Sequence, residues 1–214
     1  GRLIAFTTTV RPTSWRPGAG SLMFNADPLM SSALPEWRVS AWLNTATPIT
    51  RESLRGRVVL LHTFQMLCPG CVAYGLPQAE RVRHAFAPSD VAVIGLHTVF
   101  EHHSAMTDDA LRAFVHEYRW SFPIGVDEPD GRGGPPITMT LYGLRGTPSC
   151  LILDRQGRVR LHHFGQIDDL VLGGLIGRLV AGADALGDRS DLASPASARM
   201  EKGGDPCTNG SCGF

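Results

Sequence analysis

Between Trp37 and Val180 the apolar positions gather into short clusters, while on either side of that stretch they scatter without a period. Residues 58–64 (Val-Val-Leu-Leu-His-Thr-Phe) and 91–96 (Val-Ala-Val-Ile-Gly-Leu) are near-continuous apolar runs of strand length. That is the pattern of strands covered on both faces. Val39–Leu43 predicts a short strand, 51–54 a helical turn, and 122–126 a weak strand. Residues 150–153 and 159–162 flank Asp154-Arg155-Gln156-Gly157, a hairpin turn signal. Helical spacing appears three times. Val72, Leu76, Val82 and Phe86 line one side of a helix ending near residue 86. Thr107-Asp108-Asp109 gives a cap and first-turn acids to a helix reaching Trp120, and 167–180 supplies the last helix. Strands alternating with helices, then a strand pair and a helix, predict an α/β fold with right-handed crossovers.

Composition sets the limits. The chain has 214 residues, enough for one domain and extensions, with 43% hydrophobic and 19% charged residues. We expect three parts: a poorly ordered extension over 1–35, a globular domain over 36–182, and a flexible tail over 183–214 rich in Gly, Ser, Pro and Ala. Net charge is zero, so no whole-chain field draws it to nucleic acid or to an anionic membrane. No apolar run approaches the ~18 residues of a membrane span. The absence of a complete export signal favours the cytoplasm, with an exported, periplasmic location as the alternative. Five cysteines is an odd number, which argues for reactive thiols over a fully paired disulfide scaffold.

The chemistry lies in Cys68-Pro69-Gly70-Cys71, directly after the 58–64 strand, and in Gly146-Thr147-Pro148, whose proline is 77 residues beyond Cys71. Two cysteines at a strand-to-helix junction form a dithiol that can close into a disulfide. Pro69 suits a first helical turn, where its missing N–H would be unpaired anyway. The unpaired N–H groups and partial positive charge of a helix N-terminus stabilise an anion, so thiolates form readily there. Cys68 is therefore expected to be the attacking nucleophile and Cys71, one turn inward, the resolving thiol. Pro69, Gly70, Thr147 and Pro148 are the expected substrate-binding residues. His62 shares a strand face with Leu60 and Phe64, under the site, where it would accept the Cys71 proton or serve as a hydrogen-bonded core histidine. No second pair of ligands for a zinc site exists within the domain, and no cofactor is expected.

These residues resemble the thioredoxin fold, a three-layer α/β/α sandwich with a mixed sheet. Within it they resemble the TlpA-like thiol–disulfide oxidoreductases, close to the redoxin (alkyl hydroperoxide reductase/thiol-specific antioxidant) group. The matching pieces are Leu54-Arg55-Gly56-Arg57-Val58-Val59 before the dithiol, Tyr142-Gly143 before Gly146-Thr147-Pro148, and Asp154 with Gly157 in the hairpin. The resemblance covers about residues 37–181 and implies a cis Thr147-Pro148 bond facing the dithiol. Leu67 stands where many relatives carry Trp, and His62 where thioredoxins keep a buried acid. Pro77 lies six residues after Cys71, one more than usual, so Gly75 is expected to absorb a residue as a local bulge.

The implied activity is a disulfide reductase acting on a disulfide-containing protein or small thiol substrate, recharged by an upstream reductant. Two alternatives stand beside it. In a thiol peroxidase Cys68 would attack peroxide, but Gln65 occupies the place where peroxiredoxins keep Thr or Ser, and Thr63 is out of register. In a copper carrier Cys68, Cys71 and a nearby histidine would hold the metal. His97, Glu101, His102 and His103 form a polar cluster past the 91–96 strand, read either as metal ligands or as a solvated loop. Cys150 is expected to be a buried, inert strand thiol. Cys207 and Cys212, on a tether long enough to cross the domain, form a candidate auxiliary redox pair.

Overall fold

The structure, a computed structural model, describes residues 34–182. The first 33 residues of the expected extension, and the tail with Cys207 and Cys212, lie outside the described residues. Six strands form one sheet: β1 (Val39–Leu43), β2 (Val58–Phe64), β3 (Val91–His97), β4 (Ile124–Asp127), β5 (Ser149–Leu153) and β6 (Val159–Phe164). Their spatial order is β1-β4-β3-β2-β5-β6. The middle strands β4, β3 and β2 run parallel, whereas β1, β5 and β6 each pair antiparallel with the strand preceding them inward. The sheet is mixed, as expected.

Burial explains why β2 and β3 read as unbroken apolar runs: every residue in both is buried. Helices α1 (Leu76–Ala85), α2 (Asp108–Tyr118) and α4 (Asp169–Val180) cover one face. There Leu76, Val82, Leu111, Val115, Leu172 and Ile176 pack on Leu60, Phe64, Val91 and Val93. The other face carries a thinner layer built from α3 (Ile137–Leu141), the segment around Leu34 and Trp37, and Tyr142. The fold is thus a three-layer α/β/α sandwich of unequal layers.

Local rules account for most boundaries. Thr107 caps α2, its hydroxyl accepting the Ala110 N–H at 3.3 Å. Asp168 caps α4 through the N–H groups of Leu170 and Val171. In the β5–β6 turn Asp154 Oδ1 accepts from Gln156 N and Arg158 N, and Gly157 takes φ +75°, which glycine adopts without steric cost. The short helix α3 carries no local signal. Its start is fixed by buried Asp127 at the end of β4, whose carboxylate accepts from Thr138 N, Met139 N and the Thr98 hydroxyl at 2.8–3.0 Å. Burial raises the Asp127 pKa against those bonds. Among the described residues no helix is long and apolar enough to cross a membrane.

Two buried histidines make stability depend on pH. His62 and His97 are 3% and 1% exposed, their Nε2 atoms have no partner among the described residues, and burial pushes both pKa values down to about 4. The folded state therefore holds them neutral. Their contribution is full above the unfolded value of about 6.5 and is lost as pH falls through about 4. Urea titrations at pH 7 and pH 4 should show a fall of a few kcal/mol, with about 3 kcal/mol from each histidine as the limit. His97→Leu should flatten that fall. An unchanged pH profile in this variant would contradict the assignment.

Candidate active site

The segment after β2 makes a turn in which Cys68 N donates to Gln65 O at 3.1 Å, and helix begins at Pro69. Val72 N reaches Cys68 O at 3.1 Å, so Cys68 stands at the cap of the helix. Its sulfur is part-exposed; it accepts the Cys71 N–H at 3.3 Å and lies 3.6 Å from the Thr147 carbonyl, to which its thiol donates. Cys71 is fully buried, and both thiols are free. Burial, reinforced by the hydrogen bond with Cys68, pushes the Cys71 thiol up to about 12, while the Gln65 backbone and the Thr147 side chain pull it down. One sulfur is thus open and served by a backbone donor. The other is enclosed and held as a thiol.

Pro77 has a structural consequence here. Residues Cys71–Gly75 form a π-helical turn, closed by Leu76 N on Cys71 O, before α1 continues regularly. A π turn holds one residue more than an α turn, which absorbs the extra residue between Cys71 and Pro77. Gly75 is where the wider turn meets the sheet. A methyl group there would overlap His62 Nε2 and Cε1 and would touch Pro148 Cβ at 3.4 Å. The expected bulge is present, and the imidazole beneath it leaves no room for a Cβ at Gly75.

The Thr147-Pro148 bond is cis. The Pro148 ring lies over Gly70, where a Cβ would sit 3.4 Å from Pro148 Cδ. Pro148 O accepts Gly165 N at 2.8 Å, tying the loop to the end of β6. Cys68, Cys71, Gly70, Thr147 and Pro148 come together as the sequence suggested, with Pro69 opening the helix between the thiols. His62 lies below them, in register with Cys150 on β5 and Gly95 on β3. Cys150 is buried and its thiol is pushed up to about 12 by that burial.

Other candidates disperse. His97 is buried against Phe64, with ring centroids 5.2 Å apart, whereas Glu101, His102 and His103 are exposed. Glu101 instead accepts from the Gln65 side chain at 3.2 Å, and Gln65 Oε1 accepts Phe100 N. Among the described residues no three His, Cys, Asp or Glu side chains gather as a metal-binding group. Sequence reasoning missed the part of Thr147's side chain and of the Gln65 backbone at Cys71. Only the place of Thr147 next to Pro148 signalled it.

No protein-family profile matches the sequence. A thioredoxin-like superfamily protein of known crystal structure is 53% identical over 69% of this chain and 96% of its own, with a TM-score of 0.67. The chain belongs to the thioredoxin-like superfamily. A thiol-disulfide isomerase from Corynebacterium glutamicum is 49% identical over the same shares, with a TM-score of 0.66. The Thiol:disulfide interchange protein DsbE of Allochromatium vinosum is 27% identical over 66% of this chain and 70% of its own. Protein DipZ of Mycobacterium bovis is 29% identical over 144 residues, which span 20% of DipZ.

The Gly75–His62 contact yields a double-mutant test. Gly75→Ala should destabilise the protein by about 1–3 kcal/mol through overpacking. In a His62→Ala background the same change should cost under about 0.5 kcal/mol, because the imidazole that it strikes is gone. Equal costs in both backgrounds, measured by urea unfolding, would show that the glycine answers to something else.

Proposed function

We propose that the protein is a disulfide reductase in which Cys68 attacks and Cys71 resolves. The observation that carries this reading is the asymmetry of the two sulfurs, one part-exposed beside the Cys71 N–H, the other fully buried with its thiol pushed up to about 12. A dithiol whose thiolate form is stabilised oxidises its partners; one whose second thiolate is costly gives up electrons more readily. Burial of Cys71 supports a pair toward the reducing end.

In the proposed cycle the Cys68 thiolate displaces one sulfur of a substrate disulfide, which leaves as a thiolate. Cys71 then loses its proton and attacks Cys68 Sγ, and the second substrate sulfur departs. Two electrons pass to the substrate, and Cys68–Cys71 is left as a disulfide for an upstream thiol reductant to reopen. Thr147 and Pro148 would set the substrate backbone beside Cys68, with Pro69 and Gly70 forming the opposite wall. A disulfide-containing protein suits this surface, since Leu67 beside the nucleophile is 55% exposed and Phe164, against Gly146, is 47% exposed.

His62 is proposed to take the Cys71 proton. In the reduced protein, transfer from a thiol near 12 to an imidazole near 4 runs steeply uphill. Once Cys68 is tied up in the mixed disulfide, its charge and its hydrogen bond no longer hold the Cys71 proton in place. His62 Nε2 has no partner among the described residues and lies against Gly75, in the same turn as Cys71. The peroxidase alternative gains no support. The Thr63 hydroxyl is turned to Ser149 O, and the Gln65 amide is engaged with Glu101 and Phe100.

Equilibration with glutathione tests the direction: the Cys68/Cys71 couple should lie near −270 mV, whereas a value near −120 mV would make the protein an oxidant. Stopped-flow kinetics test the roles. Cys71→Ser should accumulate the Cys68 mixed disulfide, and His62→Ala should slow resolution about tenfold or more while sparing the first attack. Thr147→Val should also slow resolution by removing a donor to the Cys71 sulfur, by severalfold for a lost hydrogen bond. Equal resolution rates in wild type and both variants would remove His62 and Thr147 from the mechanism.

A further inference from the structure

At the β1 edge of the sheet, away from the central strand that carries the dithiol, the end of β1 and the last turns of α2 flank an open cleft of about 660 Å³. Its lining residues include Trp42, Trp120, Arg112, Arg119, His116 and Asn44. No carboxylate is among its lining residues. The acids on the same helix, Asp108, Asp109 and Glu117, sit at the exposed surface, where Asp109 reaches Arg112 only at 3.9 Å and Glu117 lies 3.3 Å from His116.

Two features show that this cleft is built. Arg119 occupies the left-handed position that ends α2, with φ 56° and ψ 36°, where Trp120 N returns to Val115 O at 3.2 Å. Glycine is the favoured residue at that point because a Cβ is strained there. The chain keeps an arginine instead, and its guanidinium makes no ion pair or hydrogen bond among the described residues. The attraction of cations to a helix C-terminus explains a basic residue in this turn but not the choice of the strained position. Asn44 is the second feature. It is also left-handed, with φ 58°, and its amide donates to both Trp120 O at 2.7 Å and Phe122 O at 3.0 Å. This clamp fixes the Trp120 segment across the cleft from Trp42, and Trp120 is further stacked on Tyr118 at 5.8 Å and 8°.

We propose that this cleft is a second binding site, separate from the dithiol, for a planar organic anion: an aromatic ring system bearing a carboxylate or phosphate. The cavity size suits a small ligand. Indole faces accept flat rings, and the unpaired Arg119 guanidinium, with that of Arg112 on its long 3.9 Å contact to Asp109, supplies charge-assisted hydrogen bonds to an acid group. Asn44 and the helix end keep these groups in place before the ligand arrives.

The probe is 2-naphthoate, titrated into the full-length protein by calorimetry and ligand-observed NMR, with 2-naphthalenemethanol and acetate as the ring-only and acid-only controls. Saturable one-site binding of 2-naphthoate, about tenfold weaker for each control, is expected from the loss of one charged contact or of the ring. Arg119→Gly should raise the unfolding midpoint by relieving the left-handed position, yet weaken 2-naphthoate about tenfold. Arg112→Gln should weaken it to a similar degree, and both variants should keep wild-type disulfide exchange. Absence of saturable binding, equal binding of the neutral alcohol, or undiminished binding by Arg119→Gly would overturn the proposal.

Discussion

The site depends on how a helix is seated on the sheet. The turn that carries Cys71 must pass close enough to β2 to bury its sulfur, while leaving Cys68 at the cap in reach of a backbone N–H. The π turn over Cys71–Gly75 and the imidazole of His62 solve this together. The wider turn brings Gly75 down onto the ring, and only a residue without a Cβ fits. Everything that distinguishes the two thiols follows from this seating: the enclosed Cys71, the open Cys68, and the Pro148 ring lying against Gly70 and Gly75 from the other side.

The same packing places an ionisable ring where solvent does not reach. His62 stays neutral because charging it would cost more than the fold can return, and among the described residues its Nε2 is left without a partner. A polar atom in that condition is expensive for a core. His97 has a similar condition two strand positions further along the neighbouring strand, yet it is packed on Phe64 and faces no reactive group that the site uses. Chemical surroundings, more than burial, separate the two histidines.

Much of this was readable in the residues. Unbroken apolar runs placed β2 and β3, Asp154 and Gly157 placed the hairpin, and Thr107 placed the start of α2. The offset of Pro77 even pointed to the irregular turn, because a proline in a helix reports where the hydrogen-bond ladder can break. Helix α3 escaped detection because the signal that starts it is Asp127, ten residues earlier in sequence and at the end of another strand. The polar run from His97 to His103 left metal ligands and a solvated loop as alternatives for a related reason. Strand geometry turns His97 inward, and the following loop carries Glu101 to Gln65 and leaves His102 and His103 in solvent. Spacing along the chain describes neighbours within one element, and says little about what two elements bring together.

The asymmetry of the dithiol is open to a direct reading by alkylation. Reduced protein would be treated with iodoacetamide across pH 6 to 10, and each cysteine's modification followed by peptide mass spectrometry. The account requires Cys68 to be labelled first and selectively near neutral pH, with Cys71 and Cys150 protected until the protein is unfolded or the pH is far higher. Labelling of Cys71 at the same rate as Cys68 in the folded protein would contradict it.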